Sequence, residues 1–166
     1  MTRRVAIVAS GPSGVDAPFH SPRWEVWATG WRTCDLIERC DRFYEVHSAD
    51  TFSDKPRYME FLNAVHVYSL FPDVGTLIQA DRIEAAFGTE FLTNSVAWMM
   101  ADALLENVDV LGLWGVEMDY ESEYWLERYG VKHFMRLAEE RGVELVVPEG
   151  CPLLTDIPAY PFRGAA

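Results

Sequence analysis

Short apolar stretches of strand length alternate with helical stretches along the whole chain, and this alternation constrains the possible folds more than any other feature. The first stretch, Val5–Ala9, is continuously apolar, as are strands that helices cover on both faces of a parallel sheet. Further strands are predicted at Trp24–Ala28, Arg42–His47, Val65–Leu70, Thr76–Gln79, Val108–Trp114 and Val143–Val147. This order predicts a three-layer, Rossmann-like α/β fold with a mostly parallel sheet.

The segments between the predicted strands have the character of helices. One begins at Thr93-Asn94-Ser95, with Thr93 as its cap, and ends at Glu106. It is apolar on nearly every side, which predicts burial against the sheet. The other predicted helices are Trp31–Cys40, a segment capped by Ser53 or Asp54 that ends at Ala64, a short helix from Asp81 to Gly88, and a long one from Ser122 to Arg141 that Gly142 stops.

The length of 166 residues, with 49% hydrophobic residues, is sufficient for one domain with a full core. No linker or repeat interrupts the alternation of strands and helices. We expect residues 1–147 to form a Rossmann-like nucleotide-binding domain. Residues 148–166 are rich in proline and are predicted to pack on the same domain as an irregular strap.

Composition excludes several classes of function. The formal net charge of −12 argues against a broad nucleic-acid-binding surface, which needs clustered lysine and arginine. No apolar run approaches the roughly 20 residues of a membrane span, and no signal peptide is recognisable, so a cytoplasmic protein without a membrane partner is expected. Cys34, Cys40 and Cys151 match no metal or redox spacing and are expected to be reduced.

The turn GPSG follows the first predicted strand. The carboxyl ends of parallel strands form the edge where α/β proteins bind ligands, and glycines there let the backbone approach a phosphate. The turn lacks the Lys-Ser/Thr pair of a Walker loop and the full dinucleotide-binding spacing, so a plain turn is the alternative. Its candidate nucleotide-binding residues are Ser10, Gly11, Pro12, Ser13 and Gly14.

Other candidate nucleotide-binding residues lie in loops that we expect at the same edge. Asn94 and Ser95 open the buried helix, where side chains and free N–H groups are able to contact a ribose or a phosphate. The alternative is that they only satisfy the end of the helix. Thr29 and Gly30 follow the second strand, and Gly115 ends the strand at 108–114.

Carboxylates crowd the segment directly after that strand, at Glu117, Asp119, Glu121 and Glu123, with no basic residue among them. Such crowding suits general acid–base catalysis or a divalent cation such as Mg²⁺. Glu121 and Glu123 fall in the first turn of the predicted long helix, where carboxylates favour the helix dipole. Glu117 and Asp119 are therefore the candidate catalytic residues and metal ligands, with a solvated loop as the alternative.

His47 closes the third predicted strand at the same edge. It is a candidate catalytic residue, as a base or as a partner for a phosphate. A polar cap at the end of the strand is the alternative reading of the same residue.

Together GPSG, TNSVAWMMADAL and LGLWGVEMDYESEYW resemble a set of small phage and bacterial proteins. These are similar to the bacterial sialyltransferase-like and the MptE-like (6-hydroxymethylpterin diphosphokinase-like) Rossmann proteins. The resemblance implies a nucleotide over the first strand–helix turn. In the sialyltransferase branch this is CMP, with sugar transfer by a histidine base; in the pterin branch it is ATP with Mg²⁺, and a diphosphate is transferred.

Three functions follow from the residues and the resemblance. The first is a glycosyltransferase-like enzyme that uses a nucleotide-activated sugar. The second is a Mg²⁺-dependent diphosphate or nucleotidyl transferase that uses the same carboxylates. The third is a non-catalytic module that binds or sequesters a nucleotide. A homodimer, in which a partner subunit completes the site, is a further prediction.

Overall fold

The computed structural model describes residues 2–118 and 127–154, and in this part of the chain seven strands form one sheet. Every strand pairing is parallel, and the order is β5-β4-β3-β2-β1-β6-β7. The strands are β1 (Arg4–Val8), β2 (Glu25–Thr29), β3 (Arg42–Glu45), β4 (Val67–Ser69), β5 (Thr76–Leu77), β6 (Val110–Trp114) and β7 (Glu144–Val146). The predicted Rossmann-like α/β fold is confirmed, with a sheet that is parallel throughout.

Strand β1 lies at the centre of the sheet. Its Val5 is in register with Glu25 of β2 on one side and with Leu111 of β6 on the other. The chain runs outward from β1 through β2 to β5, then returns to place β6 on the opposite side of β1. The carboxyl ends of β1 and β6 therefore flank the switch point of the topology, where open α/β sheets bind ligands.

Helices cover both faces of the sheet. One hydrophobic core combines inward side chains of the sheet with those of α2 (Ala80–Phe87), α3 (Ser95–Leu105) and α4 (Arg128–Glu140). The core on the opposite face contains side chains of α1 (Pro56–Ala64). Helix α3 packs against the sheet and between α2 and α4, which explains why its sequence is apolar on nearly every side.

The predicted helix over residues 31–40 is wrong in length, because only a 3₁₀ turn, Trp31–Asp35, forms there. The hydroxyl of Thr33 donates to the carbonyl of Thr29 at 3.0 Å and also to that of Gly30. Such a bond from side chain to backbone competes with helical hydrogen bonding. The chain then returns to the sheet, where the N–H of Asp41 donates to the carbonyl of Val26 at 2.8 Å.

Two predicted helix caps are also wrong. Lys55 is the residue before α1, and no side chain caps that end. The Ser53 hydroxyl instead donates to the carbonyl of Asp50 at 3.1 Å. Asn94, and not Thr93, caps α3, because its Oδ1 accepts a hydrogen bond from the N–H of Ala97 at 2.9 Å.

The start of the predicted C-terminal strap packs on the domain. Cys151 is buried, and Leu153, in the 3₁₀ turn Pro152–Leu154, is fully buried in the core that α3 and α4 share. Residues 155–166 of the predicted strap, and residues 122–126 of the predicted long helix, lie outside the described residues. None of the described helices is long and apolar enough to span a membrane.

Candidate functional site

A cavity of about 650 Å³ lies at the switch point of the sheet. It is lined by the segments that follow β1, β2, β3 and β6 and by the start of α3, which include Ala9–Pro12, Thr29–Arg32, Val46, His47, Leu92–Val96 and Gly115–Met118. The structure therefore brings together most of the candidate residues. Ser13 and Gly14 do not line this cavity, and Asp119 lies outside the described residues.

Backbone N–H groups of the GPSG turn bond within the protein. Gly11 N–H donates to the carbonyl of Gly115 at 2.8 Å, and Gly14 N–H donates to that of Gly11 at 3.0 Å. Ser13 N–H donates to Oε1 of Glu117 at 2.8 Å, and Pro12 has no N–H. The turn is thereby fixed to the loop after β6, and it presents Ser10, Gly11 and Pro12 to the cavity.

Glu117 holds these two loops together. Its Oε1 bonds to Ser13, while its Oε2 is buried without a hydrogen-bond partner among the described residues. A methyl group on Gly11 would lie 1.7 Å from this Oε2, so the turn requires glycine there for the carboxylate to fit. Glu117 is predicted to act in catalysis or metal binding, but one of its two carboxylate oxygens is hydrogen-bonded to the backbone of Ser13.

Gly115 connects the end of β6 to the segment that contains Glu117. Its φ of +68° is a conformation that favours glycine, and a methyl group there would lie 2.1 Å from the carbonyl oxygen of Ala9. Its N–H donates to the Ser13 hydroxyl at 2.8 Å. The close approach of the two loops thus depends on a glycine on each side.

The start of α3 forms another wall of the cavity. Asn94 uses its Oδ1 as the cap, and its Nδ2 donates to the carbonyl of Glu127 at 3.0 Å. Both polar groups of this predicted ligand-binding side chain are thus engaged within the protein. Ser95 lines the cavity, and its hydroxyl makes no hydrogen bond within the described part of the chain.

The structure adds a residue that the sequence analysis missed, Glu45 at the end of β3. Its Oε1 lies 2.6 Å from Nδ1 of His47 and accepts from the backbone N–H of His47 at 2.9 Å. Its Oε2 accepts a hydrogen bond from the hydroxyl of Tyr58. Glu45 is only 5% exposed. The signal was present in the sequence, because residues i and i+2 of a strand face the same side.

Burial, reinforced by the neighbouring Glu45 carboxylate, raises the pKa of Tyr58 well above its ordinary value. Tyr58 therefore stays protonated and is a donor to Glu45. A carboxylate accepts hydrogen bonds, so the tautomer of His47 that suits this contact has its proton on Nδ1 and leaves Nε2 as an acceptor. His47 is accordingly oriented by a buried carboxylate, an arrangement that suits a general base.

A smaller cavity of about 210 Å³ lies beside the larger one. Residues that line both are Thr29, Gly30, Trp31, His47 and Ser95. The Glu45–His47 pair therefore stands at the junction of two cavities.

A separate cluster of charges lies at the amino ends of β1 and β3, away from both cavities. Arg42 bonds to Glu106 at 2.7 Å, and Arg3 bonds to Glu106 and to Glu25. Burial opposes ionisation of Glu106, but the hydrogen bonds from the two arginines outweigh it and lower its pKa. Burial raises the pKa of the neighbouring Asp102, which accepts a hydrogen bond from Tyr44 at 2.6 Å. This cluster joins strands to the end of α3.

Several solved structures are similar to this chain. CstII, a sialyltransferase from Campylobacter jejuni in complex with the substrate analogue CMP-3FNeuAc, matches with a TM-score of 0.60 at 14% identity, covering 91% of this chain and 81% of that chain. The same protein with cytidine-5'-monophosphate matches with a TM-score of 0.52 at 11% identity, covering 91% of this chain and 80% of that chain. A CST-II variant with CMP matches with a TM-score of 0.58 at 13% identity, covering 91% of this chain and 82% of that chain.

At these identities the similarity establishes the fold. It supports the sialyltransferase part of the resemblance at that level: this chain and the CstII structures share an α/β fold. No family model matches the sequence, and no curated protein matches it.

Proposed function

We propose that this protein is a nucleotide-binding, glycosyltransferase-like enzyme that transfers a sugar from a nucleotide-activated donor. The observation that carries the proposal is the histidine with a buried carboxylate partner at the edge of the switch-point cavity. A cavity of about 650 Å³ falls within the usual size of small-molecule sites, roughly 300–1,000 Å³. The solved structures with the same fold include CstII bound to CMP and to a CMP-sugar analogue.

In this proposal the nucleotide lies across β1 and β6, with its phosphate near Ser10–Pro12 and the hydroxyl of Ser95. Arg32 is the one arginine or lysine among the described residues that line the cavity, and its guanidinium lies 5.3 Å from the centre of the Trp31 ring. A guanidinium at the mouth of the cavity supplies the positive charge that the amides of the turn, already bonded, do not.

His47 acts as the general base. Its Nε2 takes the proton of an acceptor hydroxyl as the oxygen attacks the anomeric carbon of the donor. The bond between that carbon and the phosphate oxygen breaks, and the nucleotide leaves with the electron pair. Glu45 stabilises the imidazolium that forms, because its carboxylate oxygen lies 2.6 Å from Nδ1.

The pterin branch of the resemblance provides a second candidate, Mg²⁺-dependent transfer of a diphosphate from ATP. The unpartnered, buried Oε2 of Glu117 favours it, because a carboxylate oxygen is a ligand that Mg²⁺ accepts. The described residues contain no cluster of three or more His, Cys, Asp or Glu side chains suited to a metal ion. We therefore rank this function second.

The test begins with thermal unfolding in the presence of CMP, UDP, GDP and ATP, each with and without Mg²⁺. A nucleotide at 100 times its Kd stabilises a fold by about 2.7 kcal/mol, an easily measured shift. Stabilisation by CMP without Mg²⁺ is expected. No shift with any nucleotide refutes the proposal, and a shift that requires both ATP and Mg²⁺ favours diphosphate transfer.

Turnover is then measured as release of CMP from CMP-sialic acid. The His47→Asn variant should keep its affinity for CMP and lose roughly 10²–10⁴-fold in turnover, the usual contribution of a general base. His20→Asn is the matched control, because His20 is exposed and pairs only with Glu38 among the described residues. Nucleotide binding without turnover in the unmodified protein would instead support a non-catalytic module.

A further inference from the structure

The smaller cavity has a composition that differs from that of its neighbour. It is lined by five residues that do not line the larger cavity: Glu45, Thr51, Phe52, Lys55 and Tyr58. It combines aromatic surface, hydroxyl groups, a carboxylate and an ammonium group. At about 210 Å³ it is smaller than sites for drug-sized ligands, roughly 300–1,000 Å³, and suits a compound of a single ring.

The wall between the two cavities contains Trp31 and His47. Trp31 is 54% exposed, and the guanidinium of Arg32 lies 5.3 Å from the centre of its ring. The ring of His47 is held at Nδ1 by Glu45, and its Nε2 makes no hydrogen bond to any described residue. A ligand in either cavity therefore lies beside the same histidine.

We propose that the smaller cavity is the acceptor site, and that it binds a hydroxyl-bearing ring compound of the size of one sugar. This inference rests on the proposed function. The ring stacks against Trp31, and one hydroxyl points to Nε2 of His47. Glu45 and Tyr58 also line the smaller cavity. They act as positioning residues, because Glu45 contacts Nδ1 of His47 and Tyr58 donates a hydrogen bond to Glu45.

The proposed reaction joins an acceptor in the smaller cavity to a sugar from the donor in the larger cavity. The acceptor oxygen forms the new bond to the anomeric carbon of the donor in the larger cavity, and its proton moves to Nε2 of His47. The bond between the anomeric carbon and the phosphate oxygen breaks, and the nucleotide takes the electron pair. No oxidant, reductant or further reactant is needed.

Blocking each cavity in turn tests the assignment by binding alone. Thr51 lines only the smaller cavity of the two and Thr93 only the larger, and both residues are exposed, so that tryptophan at either position should leave the fold intact. The probes are CMP, and a panel of methyl glycopyranosides titrated against the protein saturated with CMP. Binding is followed by calorimetry, and melting curves verify folding.

We expect Thr51→Trp to retain CMP affinity and to weaken glycoside binding by more than about tenfold, or 1.4 kcal/mol. Thr93→Trp should weaken CMP binding. If the CMP-saturated wild-type protein binds no glycoside, or if Thr51→Trp leaves glycoside affinity unchanged, the assignment of the smaller cavity is wrong. Failure of the wild-type protein to bind CMP would instead refute the proposed function.

The positioning role of Glu45 has an independent readout. Nitrogen-15 NMR of the His47 ring in its neutral form should show a protonated Nδ1 and a bare Nε2. In Glu45→Gln the population with the proton on Nε2 should rise, because the carboxylate acceptor is lost. In Tyr58→Phe the wild-type tautomer should persist. A wild-type ring with its proton on Nε2 would overturn the role assigned to Glu45.

Discussion

The carboxylate of Glu117 accepts a hydrogen bond from the backbone N–H of Ser13 at 2.8 Å, although the two residues are 104 positions apart in the sequence. This bond joins the loop after β1 to the loop after β6, and Glu117 lines the larger cavity. From the sequence, the same carboxylate is a candidate for catalysis or metal binding. If Glu117 has the structural role, its mutation should lower the stability of the protein. If it has the chemical role, its mutation should lower turnover and leave stability unchanged.

Glu117→Ala should lower the free energy of unfolding by about 1.5–3 kcal/mol, the usual value for a hydrogen bond to a charged group. Glu117→Gln keeps an acceptor oxygen for Ser13 and should lose much less. Denaturant unfolding of the three proteins measures the difference. If Glu117→Ala is as stable as the wild type but loses turnover, Glu117 acts on the substrate and not on the loop.

Gly11→Ala should also destabilise the protein, because the new methyl group would lie 1.7 Å from Oε2 of Glu117 and 2.7 Å from the carbonyl oxygen of Gly115. Part of this cost should disappear when Glu117 is alanine as well. A double-mutant cycle on unfolding free energies measures the coupling, which is expected at roughly 0.5–3 kcal/mol for residues in contact. Strict additivity would show that the two residues do not meet in solution.

Stability should fall on acidification through His133. Its ring stacks on Phe91 at 3.8 Å, and its Nδ1 is buried without a partner among the described residues. Burial, aided by Arg136, lowers the pKa of His133 below its ordinary value of 6.5, while Glu140 and Glu90 act in the opposite sense. Below that value the unfolded chain binds more protons than the folded protein, so stability is lost as pH falls toward the folded pKa.

The variant that tests this is His133→Phe, which retains a flat ring and removes the titration. Its unfolding free energy should depend less on pH than that of the wild type between about pH 7.5 and about pH 5, where histidine titrates. Denaturant midpoints across this range provide the measurement. Equal slopes in the two proteins would assign the acid sensitivity to other groups.

Asn94→Ala should cost about 0.5–2 kcal/mol, since it removes the cap of α3. Asn94→Ser is the matched control, because serine is an equally good cap but cannot replace the bond from Nδ2 to the carbonyl of Glu127. The difference between the two variants in denaturant unfolding isolates the cap. Equal stability of the two would show that the bond to Glu127, and not the cap, is what α3 needs.

The pattern of strands could be predicted from the sequence because buried parallel strands are continuously apolar, as Val110–Trp114 is. The helix predicted at 31–40 could not be excluded, since the bonds from the Thr33 hydroxyl depend on a local geometry that periodicity does not encode. The location of the cavity followed from the order of strands and helices. The exact cap of α3 did not, because Thr93 and Asn94 are both good caps.

The Glu45–His47 pair shows a different limit. Glu45 lies within a strand, and glutamates are mostly exposed to solvent. The residues next to it in the sequence do not indicate that Tyr58 of α1 covers it. The burial of Glu45 depends on tertiary packing, because side chains of α1 and β3 share one hydrophobic core. A search for His and Glu two positions apart at the end of a predicted strand would have found the pair.

The insertion of β6 beside β1 has a consequence for how this protein becomes functional. The walls of the cavity come from segments that lie far apart in the chain, so the binding site does not exist until the most distant pairing in the sheet has formed. Pairings of such long range are generally slow to form. A ligand of the cavity can therefore bind only molecules that have completed the sheet.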